Sequence, residues 1–140
     1  MPGPSAGTKL RGSCLCGAIR YEIDGEIGPI QYCHCRRCRK ATGSAFNVGS
    51  TVPASGFRIV AGDGHLGRFL HTSGLERTFC RGCGSPIYSW WPKKAPELRR
   101  IRVGTLDTPV TGKVSAHIFA AYKAEWDEIL DGAPQYAERP

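Results

Sequence analysis

In the segment AIRYEI, Ile19, Tyr21 and Ile23 alternate with Arg20 and Glu22. A period of two predicts a strand with one buried face. Similar short stretches recur at 46–52, 57–61, 68–71, 87–91, 101–103 and 114–122. Gly and Pro separate them, so the expected arrangement is a series of short strands coiled into several antiparallel sheets. Near the end of the chain the period changes. Trp126, Ile129 and Leu130 stand at i, i+3 and i+4 with Gly132 beyond them, which predicts one short C-terminal helix stopped by glycine.

Composition supports the β-rich reading, because 18 Gly and 10 Pro are ill suited to long helices. The 140 residues match the size of one domain, expected over 10–137. Residues 1–9 are rich in Pro, Gly and Ser and read as a disordered lead-in. They lack the apolar core of a secretory signal. No apolar run approaches the roughly 20 residues that cross a bilayer, so no membrane partner is expected and a cytoplasmic location is.

The cysteines change the picture. Seven is an odd number, and they fall as Cys14 and Cys16, then Cys33, Cys35 and Cys38, then Cys80 and Cys83. Clusters with an odd total argue against a disulfide framework and for metal. Strand residues i and i+2 share a face about 7 Å apart. Tetrahedral zinc, with Zn–S near 2.3 Å, requires sulfurs converging to roughly 3.8 Å, which a CxC at a strand end can supply. The FCRGCGS turn offers the same through Cys80 and Cys83, with Gly82 and Gly84 easing the backbone around the sulfurs. Pairing the two gives a four-thiolate structural zinc site that closes a loop of roughly sixty residues. Cys33, Cys35 and Cys38 then form a second zinc site with three protein ligands and one open position. A CxxC redox pair, or three unliganded thiols beside a single metal, are the competing readings.

Several segments carry a resemblance: GSCLCGAIRYEI from Gly12, CHCRRCRKATGSAF from Cys33, RTFCRGCGSPIY from Arg77, GTLD from Gly104, and HIF from His117 followed by Lys123 and Trp126. In this order the chain resembles the glutathione-dependent formaldehyde-activating enzymes, which share a domain with centromere protein V. The resemblance implies a zinc-stabilised β-tent fold, structural zinc on Cys14, Cys16, Cys80 and Cys83, and catalytic zinc on Cys33, Cys35 and Cys38. It also implies a carbon-sulfur lyase activity that reversibly joins glutathione and formaldehyde into S-hydroxymethylglutathione, a detoxification. A non-catalytic glutathione or thiol carrier, and a zinc-stabilised nucleic-acid or protein interaction module, are the alternatives.

Charge refines this. With zinc on four thiolates contributing about −2 and on three about −1, the formal +7 falls to roughly +4. Arg36, Arg37, Arg39 and Lys40 surround the three-cysteine segment and can attract a carboxylate-bearing thiol; the plainer reading is that some merely offset thiolate charge. Arg37 and Ser44 are expected, from proximity, to seat glutathione. Lys93, Lys94, Arg99 and Arg100 lie beside Trp90 and Trp91. This run reads as a solvated loop next to core aromatics, and nucleic acid is not expected as a partner. His34 should point away from a metal held by its neighbours, and His117 should be a hydrogen-bonded structural histidine.

Overall fold

The computed structural model describes residues 9–140. Of the expected lead-in, all but Lys9 lies outside the described residues, and Lys9 begins the first strand. Ten strands follow one another: β1 Lys9–Ser13, β2 Arg20–Asp24, β3 Ile30–Cys33, β4 Asn47–Pro53, β5 Phe57–Ala61, β6 Leu66–Leu70, β7 Glu76–Cys80, β8 Pro86–Trp91, β9 Ala95–Arg102 and β10 Val114–Ile118. The fold is mainly β, as the alternation predicts. β1, β3 and β7 add to the anticipated strands, and β9 begins six residues earlier than its apolar stretch suggests, because its outer half is polar and exposed.

The strands form two sheets, a three-stranded one ordered β1-β2-β5 and a seven-stranded one ordered β10-β3-β4-β9-β8-β7-β6. All pairings are antiparallel except β10 with β3. Leu10, Tyr21 and Ile23 from the small sheet meet Val52, Ile87, Tyr88 and Ile101 from the large one in the main core. Burying such a side chain fully contributes about 1.5–3 kcal/mol, so this contact is the principal attraction between the sheets.

The large sheet's second face carries the polar chemistry. Side chains two apart on a strand share a face, and the register aligns Arg77 with Ser89, Ser89 with Arg100, and Arg100 with Thr51. One step along, Arg102 opposes Gly49, which opposes Gln31. Ile101, between the two arginines, faces the core with no measurable exposure.

The only α-helix among the described residues is α1, Arg36–Thr42. Cys35 caps its N-terminus, accepting from the Cys38 amide at 3.4 Å. Gly43 ends it in the left-handed conformation, φ 65°, with its amide on the Arg39 carbonyl at 2.7 Å.

The helix expected at the C-terminus does not form. Residues 126–130 hold only a turn, with Trp126 and Leu130 exposed at 73% and 82%. The apolar stripe has no surface to bury against, and a short helix owes its stability to such burial. The chain beyond it lies along β10 instead: His117 donates to the Pro134 carbonyl, Tyr136 to the His117 carbonyl and Phe119 to the Glu138 carbonyl, each at 2.8 Å. The tail thereby covers that edge of the sheet. Strand β10 itself stops at Ile118, where Phe119 turns to φ 54° and a 3-10 turn, Ala120–Tyr122, takes over.

Candidate metal centres

Cys14 follows β1, Cys16 lies in the turn beyond it, Cys80 ends β7 and Cys83 lies in the next turn. Their four sulfurs fall within 4.8 Å of one another. The Cys14 to Cys16 distance is 3.6 Å and the Cys16 to Cys80 distance 3.8 Å. These are far longer than a disulfide of about 2.05 Å and match the edge of a tetrahedron drawn with Zn–S bonds of about 2.3 Å. The Ile19 amide donates to Cys14 Sγ at 3.2 Å and the Gly82 amide to Cys80 Sγ at 3.3 Å. Such amide donors stabilise thiolates. The Ser85 hydroxyl, 3.3 Å from Cys83 Sγ, holds the Cys83 thiol down at about 5.

The second cluster is built at one strand-to-helix junction. Cys33 ends β3, Cys35 caps α1 and Cys38 sits within its first turn, and their sulfurs also lie within 4.8 Å of one another. Hydrogen bonding from the Cys33 and Cys38 thiols pulls the Cys35 thiol down to about 2, while the same contacts push Cys33 up. All seven cysteines are free thiols in these two clusters, and the clusters can hold metal ions. An all-sulfur donor set suits a soft or borderline ion such as zinc.

Beside Cys33 and Cys38 opens a cavity of about 390 Å³. Arg77, Lys94, Arg100, Arg102 and Arg139 line it, and among the described residues no carboxylate does. Arg77 Nη2 approaches Cys38 Sγ at 3.8 Å. Arg100 donates from Nη1 to Gln31 Oε1 at 3.2 Å, and its buried Nη2 has no partner. Arg102, 6% exposed, donates to the Arg100 carbonyl and to Ser89 Oγ, both at 3.1 Å. Burial lowers both guanidinium groups, Arg102 to about 10. A β-carbon on Gly49 would meet Arg100 Nε at 2.5 Å, so glycine there makes room for the guanidinium.

The two residues expected to seat glutathione lie elsewhere. Arg37 lines a neighbouring depression that shares Arg77 and Arg102 with the cavity. Ser44 lines a shallower one with Arg36, Arg39 and Trp126, and its hydroxyl donates to the Phe46 carbonyl at 2.8 Å.

His34 and His117 are both buried. His34 Nε2 stands 2.8 Å from His117 Nδ1, whose other ring nitrogen meets the Asp131 carboxylate at 2.9 and 3.0 Å. The basic run near the tryptophans is split: Lys93 and Lys94 are exposed in the turn between β8 and β9, with Lys94 4.7 Å from the Trp91 ring, while Arg99 and Arg100 are half-buried on β9, with Arg99 3.9 Å from the Trp90 ring. Arg77, Arg102 and Asp131 escape the sequence reading. The one local signal was Arg100 and Arg102 at i and i+2 around Ile101, a strand with a charged face.

This is a two-sheet β protein with two all-cysteine clusters able to hold metal ions, one of them opening on a basic cavity. The model of the glutathione-dependent formaldehyde-activating enzyme family matches residues 9–122, and the chain belongs to that family. A Halomonas elongata relative that carries the family's name is 30% identical over 86% of this chain and 80% of its own. A Schizosaccharomyces pombe protein named as an uncharacterized lyase is 32% identical over 57% of this chain and 56% of its own. A Penicillium rubens relative carrying the family's name is 24% identical over 96% of this chain. The chain thus spans 56%, 80% and 61% of these three relatives. A crystal structure of a Rhodobacter sphaeroides protein superposes with a TM-score of 0.60 at 25% identity, covering 74% of this chain and 96% of that one. No helix among the described residues is long and apolar enough to cross a membrane.

Proposed function

We propose that this chain, over a zinc-binding domain of residues 10–137, binds glutathione and promotes its reversible condensation with formaldehyde to S-hydroxymethylglutathione. The observation that carries the reading is the convergence of Cys33, Cys35 and Cys38 at the edge of a cavity that two of them line. Cys14, Cys16, Cys80 and Cys83 would hold a structural zinc, and the other three a zinc with a coordination position left for substrate. When bound there, zinc supplies Lewis acidity and favours the thiolate form of a thiol.

The chain's own residues confine and orient. The cavity holds the thiol close to where formaldehyde enters, and proximity is the effect the protein must supply, since thiols add to formaldehyde unaided. In the reaction the thiol sulfur bonds to the aldehyde carbon, the carbon–oxygen double bond becomes a single bond, and the thiol proton ends on the new hydroxyl. Arg77 beside Cys38 stabilises negative charge on sulfur. Arg37 is placed to meet a ligand extending from the cavity into the adjoining depression. Ser44 would meet a ligand only through the separate depression that it lines with Arg36 and Arg39. The physiological reading is formaldehyde detoxification in the cytoplasm.

The test is the initial rate of adduct formation from glutathione and formaldehyde with zinc-loaded protein, against Cys35→Ser protein and buffer. Rates above background only for the intact cluster support catalysis. Glutathione binding by calorimetry with no rate increase would establish a carrier instead.

A further inference from the structure

Resting on the reading that the cysteine trio handles a thiol, we propose that Arg100 and Arg102, assisted by Arg77, form a carboxylate-binding site that restricts the cavity to thiols bearing an acidic group. These residues are the specificity determinants, and the class they select is the acidic small thiol over neutral ones.

Charge balance is the first support. Among the described residues, five cations line the cavity and no acidic side chain does, and none of the five pairs with a carboxylate. A divalent ion on three thiolates leaves about one negative charge, which cannot neutralise them. Burying a guanidinium without a counterion is unfavourable, so the arrangement calls for an anion from outside.

The donors are the second support. A guanidinium carries five N–H groups. Arg100 uses one on Gln31 and has a buried nitrogen with no partner. Arg102 satisfies only two of its nitrogens, on Ser89 and the Arg100 carbonyl. Remaining donors on two adjacent arginines fit the paired oxygens of a carboxylate, which guanidinium binds in fork fashion. Gly49 holds the geometry open, because any side chain there would collide with Arg100.

The experiment is calorimetric titration of zinc-loaded protein with S-methylglutathione, which keeps the carboxylates but has no free thiol, alongside glutathione, 2-mercaptoethanol and inorganic phosphate. S-methylglutathione is expected to bind wild type, and its affinity to fall at least tenfold in Arg100→Gln and in Gly49→Ala, which keeps the charge but displaces it. Zinc content should stay unchanged, as should the weak binding of 2-mercaptoethanol. If Arg102→Gln does not fold, the other two variants decide the matter. Unaltered affinity in both, or phosphate binding more tightly than S-methylglutathione, overturns the carboxylate site. Loss of thiol chemistry with S-methylglutathione still bound would sink only the catalytic reading.

Discussion

His34 Nε2 and His117 Nδ1 are 2.8 Å apart in a fully buried contact that ties β3 to β10 across 83 residues of sequence. His34 lies between Cys33 and Cys35, so this bond fixes the backbone presenting two sulfurs, and Asp131 anchors its far end. Replacing His117 by Ala leaves His34 without its partner and opens a cavity. The expected loss is about 2–4 kcal/mol, read from urea unfolding. Zinc at the four-cysteine site should survive, and an unchanged unfolding midpoint would show the contact to be idle.

Metal removal should separate the two centres. The four-cysteine cluster joins the end of β1 to the end of β7, so its binding free energy is folding free energy. Cys80→Ser is expected to yield protein that fails to fold cooperatively. Cys35→Ser should retain its fold and lose one zinc per chain. Zinc quantification with circular dichroism distinguishes them, and identical behaviour of the two variants would contradict separate roles.

Gly62 has φ 80°, and a β-carbon there would lie 2.0 Å from the Ala18 carbonyl oxygen. Left-handed backbone alone costs a non-glycine residue about 1–2 kcal/mol, and backbone cannot swing aside as a side chain can. Gly62→Ala should therefore destabilise by about 2 kcal/mol or more in denaturant titration, through the link between β5 and the turn before β2.

Acid should weaken the small sheet's outer face. Arg58 donates to Asp24 from two nitrogens at 3.1 Å and to Glu22 at 3.0 Å. The hydrogen bonds from Arg58 hold the Asp24 carboxyl below its usual range. A carboxyl depressed in the folded state adds stability that is complete above its unfolded pKa, near 4, and is lost as pH falls through the folded value. Arg58→Gln should lower the melting temperature at neutral pH and flatten its decline on acidification. Parallel acid limbs for the two proteins would refute this.

The clusters were legible because their ligands are local. CxC and CxxC place sulfurs within a turn of each other whatever the global fold, and an odd total left one group of three. The strands were legible where one face is apolar, as at Tyr21 and Ile23. β3 and β7 were not: Gln31 accepts from Arg100 and Arg77 lines the cavity, and a polar residue so placed reads in the sequence as one facing water. The stripe of Trp126, Ile129 and Leu130 misled because periodicity describes a face and not whether anything covers it.

Sequence alone determined the sheet-rich class and the grouping of the seven cysteines, since alternation and CxC or CxxC spacing are local, and it pointed to the family through the resemblance of ordered segments along the chain. Tertiary structure decided the rest: that Arg77, Arg100 and Arg102 share one face with Cys33, that Arg37 and Ser44 stand apart, and that His34 reaches Asp131 through His117. Those relationships depend on strand register and sheet order, which join residues far apart in the chain, and no local pattern encodes them.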